Sequence, residues 1–371
     1  MKKERRPRLR ELGIHIGSYP TGPHNAITDV HGVEVGHCTI IHDEPTTART
    51  GVTVILPRGQ QTIDFNPVAA GIFSFSGFGE MTGWAVIDEF GLLYSPIGLT
   101  GTTSVGAVHE ALSTDELGLR LPMVAETYDG FLNDAAAFHV RPEHVKSALA
   151  AATTGPIAEG NVGGGTGMIC HGFKGGIGTA SRRVPAAGHE YTLGTLVQAN
   201  YGRREQLRVA GCPIGAWIDA QHTPTPARNN APPATASSSI IIFLATDAPL
   251  LPTACRRLAK RATVGLARVG GTGHDGSGDI FLAFATGNDW PVRAQQPTPL
   301  QSIPHYQMNP LFDAAAEAVE EAILNALCAA ETMSGKDGAQ VYELPLDRLH
   351  ELWERWNERR PQPGNSPAPE S

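Results

Sequence analysis

The stretch SSSIIIFLATDAP, residues 237–249, holds an unbroken apolar run, Ile240–Ala245, directly after three serines. A run of this composition, bounded by Ser on one side and Asp-Ala-Pro on the other, reads as a buried strand over 239–246. A buried strand needs further layers of structure to cover it. Upstream lies TPTPARNNAPPATA, residues 223–236, rich in proline and alanine and without periodicity. It is the one internal stretch with linker composition. Serines at a loop-to-strand junction ordinarily satisfy nearby backbone groups.

The rest of the chain alternates strand-like and helix-like segments on both sides of that linker. GVEVGHCTII and GVTVILPRG have strand composition between glycine and proline turns. SVGAVHEALST reads as a helix, LPMVAETYDGFLND as a strand ending in a polar loop, and RPEHVKSALAAATTG as a helix stopped by Gly155. YTLGTLVQANYG and GDIFLAFAT are further strands, and PLLPTACRRLAKRATVGLARVG a further helix. Asn309-Pro310 places an N-cap and a first-turn proline ahead of another helix. Its apolar face would carry Phe312, Ala316, Val319, Ile323 and Leu327, with Glu317, Glu320 and Glu321 elsewhere around it. A terminal helix is expected over 345–358 and a disordered tail from about 359. With no clean βαβ alternation, the fold class is layered α/β or α+β. The linker could divide two domains or be an excursion from one.

A net charge of −8 argues against broad nucleic-acid binding. The one basic cluster, Lys2, Lys3, Arg5, Arg6, Arg8 and Arg10, is expected to solubilise a frayed end. No apolar segment follows it as in a secretory signal, and no run is long enough to span a membrane. Cys38, Cys170, Cys212, Cys255 and Cys328 are scattered, form no CxxC pair and match no zinc spacing, so reduced thiols in a cytoplasmic protein are expected.

The glycine-rich GNVGGGTGMICHGFKGGIGTASR lacks the order of a phosphate-binding Walker loop. A GxGxxG match at Gly271, Gly273 and Gly276 follows a helix and precedes a strand, the reverse of the dinucleotide-binding context. Neither His171 nor His274, both in glycine-rich loops, belongs to a metal-ligand pattern. No metal or cofactor is expected. What remains is a set of polar residues at strand ends and in glycine loops: Glu126, Tyr128, Asp129, Asn200, Ser239, Ser277 and Asp279. A serine needs a base to become a nucleophile, and no histidine stands in a partner motif. A free α-amine is an alternative base. If the chain were cut before Ser239, that residue would carry both the hydroxyl and an amine of pKa about 8.

At these residues the sequence resembles the self-processing DmpA-type aminopeptidases, which include L-aminopeptidase/D-esterases and β-peptidyl aminopeptidases. The resemblance runs over nearly the whole chain, through NAITDVHGVEVGH, GVTVILPRG, VAETYDGFLND, GGGTGMICHGFKGGIGTASR, LVQANYG, SIIIFLATDAPLLP and GSGDIFLAFAT. It implies an αββα sandwich, similar to N-terminal-nucleophile hydrolases but differently connected. It also implies one catalytic domain cut into an α subunit, 1–238, and a β subunit, 239–371, assembled as a homo-oligomer, commonly a tetramer of αβ units. Ser239 would then be the nucleophile and Ser238–Ser239 the autocleavage site. Ser277 and Asp279 match the Ser-Gly-acid motif that orients the nucleophile and its amine. Asn200 matches the oxyanion-stabilising asparagine, Tyr128 the tyrosine assisting the tetrahedral intermediate, and Glu126 the acid that holds a substrate's free amino group. The substrates implied are small peptides or amino-acid amides and esters. The chain departs from the family at Ser238, where Gly or Asn is usual, and at His274-Asp275-Gly276, where Asp275 adds a charge. An amidase or acyltransferase acting on a non-peptide acyl group, or an unprocessed ligand-binding homologue, are the alternatives.

Overall fold

A strand that is apolar at every position must bury both faces, and the Ile240–Ala245 run does so. The structure, a computed structural model, describes residues 5–59, 63, 65–115, 118–227 and 238–359. The principal strands are β1 (Glu34–His42), β2 (Ala48–Leu56), β3 (Val68–Gly77), β4 (Leu92–Leu93), β5 (Ile97–Gly101), β6 (Met123–Thr127), β7 (Gly176–Ala186), β8 (His189–Asn200), β9 (Ser238–Thr246) and β10 (Ser277–Ala285). The principal helices are α1 (Trp84–Phe90), α2 (Val105–Leu112), α3 (Pro142–Ala150), α4 (Pro252–Ala259), α5 (Ala262–Val269), α6 (Asn309–Ala329) and α7 (Leu346–Glu358). One sheet runs β7-β8-β9-β10-β3-β4 and a second β1-β2-β5-β6.

Alternation along the strands builds the layers. Ile241, Phe243 and Ala245 of β9, with Ile280, Leu282 and Phe284 of β10, pack against Ile55, Ile97, Leu99, Met123 and Ala125 of the second sheet. The opposite side chains, Ile240, Ile242, Leu244, Phe281 and Ala283, pack against Cys255, Leu258, Leu266 and Val319 of α4, α5 and α6. On the far side of the second sheet, Val52, Val54 and Val124 meet Val108 and Leu112 of α2 and Val145 and Ala148 of α3. The result is the expected helix–sheet–sheet–helix sandwich. Strands from both sides of the linker interleave in it, because β8 and β9 are antiparallel neighbours. Of the linker itself, residues 228–236 lie outside the described residues, as does the tail beyond 359.

Several sequence expectations are corrected. α3 ends at Ala150, short of Gly155, because Thr153 turns away to exchange backbone hydrogen bonds with Val35. The helix expected over 249–270 is two, α4 and α5, each serving a different neighbour: α4 lies on β3 and β10, α5 on α6. Asn309 is the first residue of α6 and not its cap. A 3-10 turn, His305–Met308, leads into the helix and leaves Met308 in the cap position.

α6 is buried all round, its glutamates included. Arg182 of β7, wholly buried, donates to Glu321 at 2.7 Å and to Glu317 at 3.1 Å, and Arg10 reaches Glu321 at 2.7 Å. Burial pulls the Glu321 carboxyl up, but Arg10 and Arg182 outweigh it and hold it below the ordinary range. The N-terminal arginines are therefore not a frayed end. Arg6 pairs with Glu343 and Arg8 with the buried Glu159. Among the described residues, no helix is long and apolar enough to cross a membrane.

Candidate active site

The site forms where β8 ends and β9 and β10 begin. Register decides its composition: Asn200, the last residue of β8, is paired with Ser239, and the parallel neighbours of Ser238 and Ser239 on β10 are Ser277 and Gly278. Residues distant in sequence thus meet at one sheet end through backbone pairing alone. All four polar side chains are buried: Asn200, Ser239, Ser277 and Asp279.

The Ser239 hydroxyl donates to the carbonyl oxygen of Ser238 at 2.7 Å and accepts from the Gly278 N–H at 3.2 Å. It therefore lies beside the carbonyl of the 238–239 peptide bond, with a backbone N–H on its oxygen. Ser277 donates to Asp279 at 2.7 Å, so the two side chains share a face, as their spacing in an extended strand demands. That face is the one occupied by Ile240, opposite the Ser239 hydroxyl. The Ser277–Asp279 pair thus approaches residue 239 from the side of its main chain. Burial raises the Asp279 carboxyl to about 6, against opposition from the Ser277 hydroxyl, the Ile240 N–H and His274.

Gly278, between the pair, is required by contact. A Cβ there would lie 2.7 Å from the Cα of Gly79 and from the carbonyl oxygen of Phe78. This close approach brings in Glu126, whose Oε1 lies beside Gly79 and accepts from the Glu80 N–H at 3.0 Å. The other carboxylate oxygen accepts from the Thr102 hydroxyl. Burial raises the Glu126 carboxyl, the Thr102 hydroxyl and the Glu80 N–H oppose the rise, and the Glu80 charge adds to it. Among the described residues no arginine or lysine pairs with it.

Asn200 accepts the Ile169 N–H on Oδ1 at 2.8 Å and donates through Nδ2 to the carbonyl oxygen of Tyr128 at 3.1 Å. Tyr128 meets Asn200 through its main-chain carbonyl, while its ring lies over Gly130 and the residue is 43% exposed. Asp129, also singled out in the sequence, lies behind it, fully buried and raised to about 6 by burial. His171 is buried, with Nδ1 on the Arg203 carbonyl oxygen, and burial lowers it to about 4. His274 and the exposed Asp275 form the turn into Ser277. Among the described residues, no group of three or more His, Cys, Asp or Glu side chains is placed to hold a metal ion.

Residues 25–341 match the model of peptidase family S58. The chain belongs to that family. The beta-peptidyl aminopeptidase BapA of Sphingosinicella microcystinivorans is 44% identical over 369 residues, covering 94% of this chain and 92% of its own. Among solved structures, a Burkholderia sp. beta-aminopeptidase is 50% identical, with a TM-score of 0.87 over 96% of this chain and all of its own. The L-aminopeptidase D-Ala-esterase/amidase of Ochrobactrum anthropi, described as a prototype of the serine aminopeptidases and a variant of the Ntn hydrolase fold, is 42% identical. Its TM-score is 0.85, over 95% of this chain and 99% of its own. This S58 chain is accordingly an enzyme, a serine aminopeptidase on the layered fold described above.

The candidate site also contains elements that motif reading missed. Phe78, Gly79 and the Glu80 N–H come from the loop after β3, and Thr102 from the end of β5. None carries a sequence signal by itself, because their contribution is backbone approach and one hydroxyl. The glycines of SGFGEM are the only trace.

Proposed function

We propose that this S58 enzyme matures by cutting its own Ser238–Ser239 bond, and that Ser239 then acts as an N-terminal nucleophile. The observation that carries the reading is the position of the Ser239 hydroxyl, hydrogen-bonded to the carbonyl group it would attack and stabilised by the Gly278 N–H. Attack of Oγ on the Ser238 carbonyl carbon shifts the acyl group from nitrogen to oxygen. Water then hydrolyses the ester, leaving residues 1–238 and 239–371 as the α and β subunits of one catalytic domain.

The new α-amine, with a pKa of about 8 before the site acts on it, takes the hydroxyl proton as Ser239 attacks a substrate carbonyl. The same proton passes to the departing amine, and the acyl-enzyme is released by water. Asn200, through its second Nδ2 N–H, and the hydroxyl of the exposed Tyr128 ring, once turned from Gly130, stabilise the oxyanion, each donor being worth about 3 kcal/mol. Ser277 and Asp279 orient the α-amine from the opposite face of the strand. Glu126 takes the substrate's free amino group in a charge-assisted hydrogen bond. A free N-terminal amine is thereby selected, and the substrates are small peptides or amino-acid amides and esters. The enzyme works in the cytoplasm as a homo-oligomer, a tetramer of αβ units.

A panel of p-nitroanilides bearing L-α-, D-α- and β-amino acyl groups, read with intact-protein mass, tests this. Turnover of at least one, with acyl mass trapped on the fragment that begins at Ser239, is expected, and both must vanish in Ser239→Ala. Acylation of any other residue refutes the assignment.

A further inference from the structure

Lys174 is a buried cation that pairs with no carboxylate among the described residues. It ends a small hairpin in which Phe173–Lys174 pair with Ile169–Cys170, and none of its side chain reaches solvent. Its ammonium donates to main-chain carbonyl oxygens, at 2.8 Å to Met168, 2.9 Å to Gly175 and 3.5 Å to Gly165. That uses all three donors. Burying a charge is costly even when its hydrogen bonds are complete, and an apolar side chain would fill the same space at less cost. Burial accordingly brings the Lys174 ammonium down to about 7.

The glycines of GGGTGMICHGFKGG let the carbonyls converge. A Cβ at Gly165 would lie 2.4 Å from the Ile177 nitrogen, and one at Gly175 would lie 2.4 Å from the Ala199 carbonyl oxygen. This glycine-rich segment wraps a lysine.

One of the gripped carbonyls leads to the active site. Met168 O and Ile169 N–H belong to the same peptide unit, which is planar and rigid. Lys174 holds the oxygen at 2.8 Å, and the N–H donates to Asn200 Oδ1 at 2.8 Å. A cation on a carbonyl polarises the amide and strengthens donation from its N–H. A carboxamide accepts only through its oxygen, so this bond fixes which way round Asn200 lies. Nδ2 then faces Tyr128 O with one N–H and has a second to offer.

We propose that Lys174 is a positioning residue: through the Met168–Ile169 peptide it locks the Asn200 carboxamide in the orientation that presents an N–H to the substrate oxyanion. The proposal rests on the reading of Asn200 as an oxyanion donor, and the test separates the two.

Lys174→Met keeps the length and the apolar stem and removes the ammonium. Steady-state constants are measured per cleaved enzyme in the wild-type and Asn200→Ala backgrounds. The expected result is a kcat at least about tenfold lower with KM within about twofold, and no further loss when Asn200 is already alanine. Wild-type kcat in Lys174→Met, or the same loss in both backgrounds, overturns the proposal. Wild-type kcat in Asn200→Ala alone removes the oxyanion reading, and this one with it. Should Lys174→Met not accumulate as folded protein, 15N spectra of the wild-type enzyme carry the test. The Lys174 ammonium and Asn200 carboxamide signals must shift with a single midpoint, and independent titration overturns the coupling.

Discussion

Gly278→Ala probes the contact on which the site is assembled. The added Cβ would meet Gly79 Cα and Phe78 O at 2.7 Å and Gly79 N at 3.0 Å, all backbone atoms that cannot rotate away. β10 and the 78–79 loop must part by several tenths of an ångström. Such overpacking costs about 1–3 kcal/mol. The same movement displaces the Gly278 N–H from the Ser239 hydroxyl and Glu126 from the substrate's path. Misplacement by about 1 Å can cost on the order of a hundredfold in rate, so a loss of about ten- to a hundredfold is expected in self-cleavage and in turnover. Thermal unfolding and a cleavage time course measure the two effects. Gly106→Ala in α2 is the control: nothing lies within 4 Å of its added Cβ, and a helical glycine replaced by alanine gains roughly 0.5–1 kcal/mol. A Gly278→Ala enzyme that cleaves, turns over and melts like the wild type would refute the geometry.

Asp279→Asn should lose at least about tenfold in turnover, roughly 1.4 kcal/mol, while the precursor becomes more stable above pH 6. The sign follows from the carboxyl's rise from 3.8 to about 6: the folded state prefers the protonated form, so stability falls as pH rises through that window. The penalty removed is on the order of 3 kcal/mol, seen as a higher Tm at pH 8 but not at pH 3.5. Glu126→Gln should raise KM for free-amine substrates, and the wild type should discriminate against their N-acetylated forms; equal turnover of both by the wild type would remove the amine anchor. Glu321→Gln breaks a buried pair with Arg182 and should cost about 3–5 kcal/mol by denaturant titration. Because the Glu321 carboxyl is held below its ordinary 4.5, the wild type's advantage is full above that pH and is lost as pH falls further.

The sandwich was legible where burial shapes composition. Ile240–Ala245 and Ile280–Ala285 are apolar throughout because each lies between a sheet and a helical layer. β7 was not legible: GIGTASRRVP reads as a polar, glycine-rich loop, since the charge of its buried Arg182 is met by Glu317 and Glu321 of α6, with Ile16 and Ser181 carbonyls taking further N–H groups. The same pairing makes α6 buried all round where its sequence suggests one apolar face. At the site, Ser239, Asn200, Ser277 and Asp279 could be named from motifs, and the register of β8, β9 and β10 brings them together. Glu80 and Gly79 could not, because they act through backbone groups that leave no mark on residue type, nor could Lys174, whose ammonium grips main-chain carbonyls that no motif records.

N-terminal sequencing of the smaller polypeptide from purified wild-type protein tests the central claim most directly, with Ser239→Ala alongside. The account predicts a sequence beginning Ser-Ile-Ile-Ile-Phe in the wild type and an intact, inactive chain in the variant. A start at Ser237 or Ser238, or an active wild type that remains uncut, would contradict it.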